Sequence, residues 1–254
     1  MDNTTLWNNT AAEYQRVFRQ GQNDYNRSVI AFWEESGMLR PGSRVLDVGC
    51  GVGKYGVLLA EHGCDVTLLD SAEEMLRFAA ANMARFSTPW RTLLCDFHTA
   101  ALPTEADYDF VFSTMSPAIA DSGDLRRLSA FSRGWCFVSR FSAWSQPLRD
   151  TLLREAGLCP AAPHGDPAAA CEALTAGVRA LGYTPLTRQA PYDWVDVRSP
   201  EAMAESLLLR LEPAQRGDPA LPGRLLEAAQ RHADADGLLR DAVFTRALWL
   251  SWRT

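Results

Sequence analysis

The sequence predicts an α/β fold in which a largely parallel sheet carries helices on both faces. Two observations support this prediction. Between residues 44 and 139, short apolar runs alternate with segments of helical periodicity. The runs are continuously apolar rather than alternating, which is typical of strands that are buried on both faces. The length of 254 residues suits one large domain with an elaboration, or two small domains.

The first 40 residues predict one or two amphipathic helices that end near Gly37, because aromatic residues recur there at helical spacing. These aromatic residues are Trp7, Tyr14, Phe18, Tyr25 and Phe32. We therefore expect an N-terminal helical cap over residues 1–40.

A core is predicted over residues 41–145, because Pro41 and Gly42 end the preceding helical pattern. Five buried strands are predicted in it, at residues 44–48, 66–69, 90–94, 110–112 and 135–139. Ser71 and Glu74 fit an S-x-x-E capping box that would begin the helix after the second strand.

The remaining part, residues 146–254, is predicted to complete the sheet. Residues 187–197 and 243–252 have strand character, and helical stretches lie between them. We therefore expect a helical insertion over residues 198–240, between the last two strands.

Composition and charge exclude several classes of protein. With 47% hydrophobic and 22% charged residues, the chain is an ordinary globular one. Its 25 basic and 31 acidic residues give a net charge of −6. Proteins that bind a phosphate backbone usually carry a basic excess, so nucleic acid is disfavoured as a partner.

Hydrophobic segments and cysteines indicate the cellular location of the protein and whether it has disulfides or a metal site. No signal peptide and no run of 18 apolar residues is present, so we expect a cytoplasmic protein without a membrane partner. The six cysteines form no C-x-x-C pair and have no nearby histidine cluster. Free thiols are therefore expected, rather than disulfides or a metal site.

A glycine cluster over residues 49–53 ends the first strand and begins a helix. Glycines let backbone amides approach a ligand closely, and a helix N-terminus favours a negative group. A P-loop would need glycine in place of Val48 and serine or threonine in place of Tyr55, so it is excluded. Residues 51–56 do satisfy the G-x-G-x-x-G fingerprint of dinucleotide-binding proteins.

Asp47 favours a different ligand. Its carboxylate lies two residues before the first glycine, where it would repel a pyrophosphate but would suit a cofactor with an amino group and no phosphate. Asp70, at the end of the second strand, would hold ribose hydroxyls with either kind of cofactor. A nicotinamide-dependent oxidoreductase therefore remains the less favoured alternative.

These residues resemble a known family. Asp47-x-Gly49-x-Gly51-x-Gly53 is similar to motif I of the class I, Rossmann-like S-adenosylmethionine-dependent methyltransferases. The resemblance continues in order through Asp70, through Asp96 with Phe97, and through residues 109–113, over roughly residues 40 to 140. It implies a seven-stranded Rossmann-like sheet that ends in an antiparallel strand pair. It also implies S-adenosylmethionine as the cofactor.

The resemblance assigns roles to individual residues. The glycines would lie under the methionine half of the cofactor, and Asp70 would accept hydrogen bonds from both ribose hydroxyls. Asp96 would accept one from the adenine amine, and Phe97 would supply its backbone amide to the adenine ring. The full set of predicted cofactor-binding residues is Tyr14, Asp47, Gly49, Gly51, Gly53, Asp70, Ser71, Met75, Asp96, Phe97 and Ser113.

Three of these assignments are more specific. Ser71 and Met75 would flank the adenine ring. The N-terminal helix resembles the start of small-molecule methyltransferases, which places Tyr14 near the methionine carboxylate or the sulfonium, a cation that an aromatic face attracts.

The methyl acceptor is predicted to be a small, partly apolar molecule. Residues 113–117 depart from the N-P-P-Y pattern of adenine and glutamine N-methyltransferases, which argues against an amide or a flipped base. The sequence names no clear general base, although His98 is a candidate for that role. Arg140 is the other candidate catalytic-site residue, and it would pair a substrate carboxylate.

Some alternatives stay open. Phe141 and Trp144, or Asp193, Trp194 and Asp196, would supply walls of an acceptor pocket or would be plain strand residues. A non-catalytic S-adenosylmethionine-binding partner or sensor also fits the cofactor motif. A homodimer through the N-terminal helices is equally compatible with the sequence.

Overall fold

The computed structural model describes residues 3–19, 24–99, 107–160, 166–211 and 215–254. Its helices are α1 (Asn3–Arg19), α2 (Asp24–Glu35), α3 (Lys54–Glu61), α4 (Glu73–Met83), α5 (Ser122–Ala130), α6 (Pro147–Glu155), α7 (Pro167–Ala180), α8 (Pro200–Leu209) and α9 (Leu221–Arg231), with a 3₁₀ turn at Gln215–Gly217. Its strands are β1 (Arg44–Val48), β2 (Asp65–Asp70), β3 (Trp90–Leu94), β4 (Tyr108–Thr114), β5 (Ser132–Ser145), β6 (Leu186–Pro191), β7 (Trp194–Arg198) and β8 (Leu239–Arg253).

The strands form a sheet of order β3-β2-β1-β4-β5-β8-β6, and β7 pairs with β8. The pairs among β1 to β5 are parallel, whereas β7 and β8 run antiparallel. The predicted α/β class is therefore confirmed. Because parallel strands end at one edge, the loops after β1, β2, β3, β4 and β5 share that edge.

The sheet contains eight strands in the described residues rather than the predicted seven. The stretch predicted as one strand over residues 187–197 is divided into β6 and β7 at Tyr192 and Asp193. The Asp193 carboxylate accepts a hydrogen bond of 2.7 Å from the backbone N–H of Thr245, so a contact made far along the chain bends the strand. The predicted helical insertion is present as α8 and α9, between β7 and β8.

The chain forms two compact units, each made of separated stretches. Unit 1 comprises Met1–Arg140, Ala169–Gln189 and Leu248–Thr254, and unit 2 comprises Phe141–Ala168 and Ala190–Ala247. The predicted division into a cap, a cofactor-binding core and a C-terminal part concerns roles in function. It stays a prediction.

Trp33 lies at the centre of one packed region of unit 1, where its side chain is 0% exposed. Its ring centroid lies 4.8 Å from that of Phe110, 4.7 Å from that of Phe112 and 5.0 Å from that of Phe137. These contacts pack α2 on β4 and β5. Of the two aromatic residues that the spacing pattern selected on α2, Tyr25 is buried and Phe32 is only half-buried.

The N-terminal helices differ in burial. On α2, the buried face includes Tyr25, Val29 and Trp33. On α1, Tyr14 is 41% exposed, and Ala11 instead packs into a cluster with Met75 of α4. The aromatic spacing therefore predicted the helices correctly but selected only part of their buried faces, because Tyr25 is buried whereas Tyr14 is exposed.

The predicted capping box at Ser71 and Glu74 is wrong. Helix α4 begins at Glu73, and its N-cap residue is Ala72. The backbone N–H of Glu74 donates to Oδ1 of Asn8 on α1, at 3.0 Å, and that of Ala72 donates to Oδ1 of Asp70, at 2.9 Å. One local side chain, Asp70, and one distant in the sequence, Asn8, thus satisfy the first turn of this helix.

Unit 2 has its own core, in which α6, α8 and α9 pack through buried leucine and alanine side chains such as Leu152, Leu207 and Leu225. Across the described parts of both units, none of the helices combines the length and apolarity that a membrane crossing needs. Within the same residues, no three His, Cys, Asp or Glu side chains are grouped to hold a metal ion.

Candidate functional site

The loop after β1 is built on three glycines in the left-handed region of backbone space. Gly49, Gly51 and Gly53 have φ values of 73°, 54° and 78°. The loop is fixed to the end of β2, because the N–H groups of Gly49 and Cys50 both donate to the Leu69 carbonyl, at 2.8 and 3.0 Å. Residues with a Cβ rarely adopt this conformation, so the sequence needs glycine at all three positions.

The three glycines differ in what lies above them. A Cβ at Gly49 would come within 2.7 Å of the Ser116 Cβ, and one at Gly53 would come within 3.2 Å of the Ala79 Cβ. A Cβ at Gly51 would meet only the Met75 Sδ, at 3.9 Å, among the described atoms. Gly49 and Gly53 therefore allow close packing of the protein itself, whereas Gly51 leaves room for a ligand.

This difference predicts two separate effects of alanine. Gly51→Ala is expected to cost about 1–2 kcal/mol of stability, from the left-handed backbone alone, and to weaken binding of S-adenosylhomocysteine. Gly49→Ala adds a clash with Ser116 and is expected to destabilise the protein further. Urea unfolding and calorimetric titration of both variants measure these effects. Equal ligand affinity for Gly51→Ala and the unsubstituted protein would contradict this assignment of Gly51.

Asp47 lies on β1 directly before this loop and is 1% exposed. Neither of its carboxylate oxygens has a hydrogen-bond partner among the described residues. Burial raises the pKa of this carboxyl well above its ordinary value, and the nearby Asp70 raises it further. A buried carboxylate without a hydrogen-bond donor destabilises the folded protein. A cationic or hydrogen-bond-donating group of a ligand would stabilise it, and the described residues do not supply such a group.

Asp70 ends β2 and accepts hydrogen bonds from the loop. Its Oδ2 accepts from the Gly51 N–H at 2.8 Å, and its Oδ1 accepts from the Ala72 N–H at 2.9 Å. Burial raises the pKa of the Asp70 carboxyl, and these backbone hydrogen bonds lower it in part. Because each carboxylate oxygen has two lone pairs, both oxygens can still accept from a ligand hydroxyl.

Asp96 follows β3 and contacts His98. Its Oδ1 accepts from the His98 N–H at 2.9 Å and lies 2.8 Å from Nδ1 of the imidazole. The backbone hydrogen bond from His98, and then the contact with its ring, lower the pKa of the Asp96 carboxyl. The other ring nitrogen, Nε2, lies 3.4 Å from Oδ1 of Asp124. Both nitrogens of His98 therefore face carboxylates, and its role as a general base stays a prediction.

The other predicted cofactor-binding residues occupy varied places in unit 1. Ser113 is buried at the end of β4, and its hydroxyl donates to the Val48 carbonyl at 2.8 Å. The Phe97 ring is buried in the core, which leaves its backbone for the predicted contact. Ser71 follows Asp70 and is half-buried, and Tyr14 packs edge-on against Trp7 at a centroid distance of 5.9 Å. The roles of these residues stay predictions.

Sequence reasoning missed two residues that hold α1 over the loop. Asn82 on α4 donates through Nδ2 to the Val52 carbonyl at 2.8 Å and to Oε1 of Gln15 at 2.9 Å. Gln15 on α1 donates in return to Oδ1 of Asn82, at 2.9 Å. These amides lie 67 residues apart in the chain, so no local pattern could have paired them.

Unit 2 brings together aromatic residues from the two candidate walls of an acceptor pocket, although that role stays a prediction. Ring centroids lie 5.0 Å apart for Phe141 and Trp144, and 5.3 Å apart for Trp144 and Trp194. Asp196 on the same strand as Trp194 pairs with Arg198 at 2.6 Å. The sequence did not select Tyr192, which stacks on Phe141 at 5.9 Å.

Comparison with known proteins agrees with this geometry. Residues 45–134 match the family model described as "Methyltransferase domain". These residues, about a third of the chain, are therefore similar to a methyltransferase domain. Over these residues, the family resemblance predicted from motif I is confirmed.

One curated protein matches a short stretch of the chain. The curated protein "Putative methyltransferase YqeM" of Bacillus subtilis (strain 168) is 47% identical over 47 residues, which is 18% of this chain and 19% of that protein. The match thus spans about a fifth of that relative's length.

Two solved structures share the fold. Magnesium protoporphyrin IX methyltransferase (ChlM) from Synechocystis PCC 6803, solved with bound S-adenosylhomocysteine, superposes with a TM-score of 0.55 at 21% identity, covering 74% of this chain and 90% of that one. The YcgJ protein of Bacillus subtilis superposes with a TM-score of 0.54 at 13% identity, covering 90% of this chain and 98% of that one. At these identities the likeness confirms the Rossmann-like fold.

Proposed function

We propose that this protein transfers a methyl group from S-adenosylmethionine to a small molecule. The observation that carries the proposal is the buried Asp47 carboxylate beside the open Gly51. It needs a cation or a donor without a phosphate, and the methionine ammonium of the cofactor is such a group.

The described residues fit S-adenosylmethionine in three respects. The Asp47 carboxylate is without a partner among them and would pair with the ammonium group. Asp70 keeps free lone pairs for the two ribose hydroxyls. Gly51 lets the cofactor approach the backbone. When bound, the cofactor supplies a methyl group on a sulfonium, which is already reactive.

Catalysis would then rest on position more than on proton transfer. The loop after β1 and Asp70 hold the cofactor, and α1 lies over the loop through Gln15 and Asn82. Holding the acceptor in line with the methyl group and excluding water are the contributions that such a reaction needs most.

A small-molecule acceptor has independent support. The net charge of −6 opposes binding to a nucleic acid. ChlM, which shares the fold, is named as a magnesium protoporphyrin IX methyltransferase. The cytoplasmic location and the homodimer stay predictions from the sequence.

One observation favours the alternative of a non-catalytic cofactor-binding protein. His98, the candidate base, has both ring nitrogens against carboxylates. A sensor would bind S-adenosylmethionine without turnover. Labelled methyl transfer into a cell extract separates the two functions, because a sensor yields no labelled product.

The proposal predicts a loss of affinity on removing the Asp70 carboxylate. Asp70→Ala should weaken binding of S-adenosylhomocysteine by about 1.5–3 kcal/mol, the range for hydrogen bonds to a charged group. It should also abolish labelled methyl transfer. Calorimetric titration measures the affinity, and Asp236→Ala, which removes an exposed carboxylate of unit 2, is the control for charge.

Two outcomes would overturn the proposal. Unchanged affinity in Asp70→Ala would remove Asp70 from the cofactor site. Tight binding of NAD by the unsubstituted protein, with no response to S-adenosylhomocysteine, would favour the oxidoreductase alternative.

A further inference from the structure

Arg140 ends the part of β5 that belongs to unit 1, and it is half-buried. Its Nη2 donates a hydrogen bond to the Ile119 carbonyl. No other hydrogen bond and no carboxylate within 4.0 Å engages its guanidinium in the described part of the chain. The remaining nitrogens reach the surface, since none of them is a buried polar atom without a partner.

This environment is unusual for an arginine. Burial lowers the pKa of the Arg140 guanidinium, and electrostatic interactions with Cys171 and Asp124 offset that effect only in part. The Asp124 carboxylate is already engaged, because its Oδ2 accepts from the N–H groups of Ala120 and Asp121, at 2.7 and 3.2 Å. A partly desolvated cation that lacks an anionic partner is costly, and it is well suited to receive one from a ligand.

Arg140 lies beside the carboxyl end of β4, where Thr114 pairs with Ser139, at the edge of the sheet that also carries the loop after β1. It follows Ser139, whose carbonyl accepts from the Met115 N–H at 3.0 Å. Met115, with a φ of 50°, is the one non-glycine residue with positive φ in the described ranges. Strained residues of this kind cluster at functional sites, so a second and independent feature marks this place.

A short segment links Arg140 to the glycine loop. Ser116 packs on Gly49, and the Ala118 Cβ lies 3.7 Å from the position that a Gly49 Cβ would take. Ile119, whose carbonyl Arg140 binds, is the next residue. Covalent geometry therefore keeps the guanidinium within about 16 Å of the Gly49 Cα, a span that a cofactor methionine group and a small acceptor can fill.

We propose that Arg140 binds an anionic group of the methyl acceptor, a carboxylate or a phosphate, and thereby selects acidic small molecules. The inference rests on the proposed function and names its substrate class. A guanidinium presents donors in a planar fork that matches the oxygens of either anion. The hydrogen bond to Ile119 fixes the fork, and the accessible nitrogens face the ligand.

Direct anion binding tests the inference without an identified acceptor. The protein, labelled with ¹⁵N-arginine and saturated with S-adenosylhomocysteine, is titrated with acetate and separately with inorganic phosphate at constant ionic strength. The Nε–H signal of Arg140 is assigned by its absence in Arg140→Lys. We expect this signal to shift to saturation, and the more effective anion identifies the carboxylate or the phosphate class.

The exposed Arg126 on α5 is the internal reference for non-specific effects. Arg140 and Arg126 signals that respond equally to both anions would overturn the inference.

Activity gives a second readout. In the labelled transfer assay, the product formed from a cell extract should be retained by an anion exchanger at neutral pH. Arg140→Lys should lower kcat/KM for that product by about 10- to 100-fold, while Arg126→Met leaves it unchanged. Affinity for S-adenosylhomocysteine should be equal in all three proteins.

The two proposals fail in different ways. A labelled product that is neutral or cationic overturns the inference and leaves the methyltransferase function intact. Absence of any labelled product contradicts the proposed function, and the anion titration still decides whether Arg140 is an anion site.

Discussion

Asp47→Asn is expected to make the ligand-free protein more stable than the unsubstituted protein, by a margin that grows as the pH rises. The same substitution is expected to weaken cofactor binding. The folded-state pKa of this carboxyl is raised, mainly by burial. The folded state therefore binds the proton more tightly than the unfolded state. The contribution of this carboxyl to the free energy of unfolding is fully present below its ordinary pKa. It is lost as the pH rises toward the folded-state pKa.

The expected slope is about 1.4 kcal/mol per pH unit within that window, and Asp47→Asn should lack it. Urea unfolding from about pH 5 to pH 8 without ligand measures the difference between the two proteins. In the presence of ligand the order should reverse, since removing one member of a buried ion pair costs about 3–5 kcal/mol. Calorimetric titration with S-adenosylhomocysteine measures that loss.

Asp241 in unit 2 offers a matched control. Its side chain is fully buried, its Oδ1 has no partner among the described residues, and burial raises its pKa. Asp241→Asn should flatten the pH dependence of stability in the same way but leave ligand affinity unchanged. If Asp47→Asn also left affinity unchanged, Asp47 would not be a cofactor-binding residue.

Trp33→Ala is expected to cause the largest loss of stability, about 3–5 kcal/mol, as for other buried aromatic residues cut back to alanine. The indole contacts three phenylalanine rings of β4 and β5 and the ring of Tyr55 on α3, at 5.5 Å. The cavity would lie between α2 and the sheet. The free energy of unfolding in urea measures the loss.

Trp33→Phe is the control for this prediction. The Trp33 Nε1 is a buried donor without a partner among the described residues, whereas the Trp249 and Trp252 Nε1 atoms each donate a hydrogen bond of 2.9 Å. Phenylalanine removes that unsatisfied donor and leaves a smaller cavity. A loss as large as that of Trp33→Ala would mean that the indole nitrogen, rather than the volume, is important.

Local signals predicted the first half of the fold well. Strands β1 and β3 were predicted with the observed bounds, because Pro41 and Gly42 precede β1 and Pro89 precedes β3. The division of residues 187–197 depends on a hydrogen bond from Thr245, and the start of α4 depends on Asn8. No pattern in a single sequence encodes such distant partners.

The candidate site shows the same limit. Motif I predicted the loop, and Asp70 lies against it as expected from the strand order. The surroundings of each residue could not be predicted from the sequence. Examples are Ser116 packed on Gly49 and the carboxylates on both sides of the His98 ring. Another is the absence of an anionic partner for Arg140 among the described residues. These features depend on packing between segments.

The interleaved course of the chain limits how the protein can be dissected. Residues 1–140 contain the whole of motif I, yet unit 1 also needs Ala169–Gln189 and Leu248–Thr254. The last of these stretches supplies Trp249, which bonds to Tyr25, and Trp252, which bonds to Ser129. A fragment that ends at residue 140 would leave the partners of these tryptophans without their donors. A minimal cofactor-binding protein would therefore have to be made by rejoining distant segments, not by truncation.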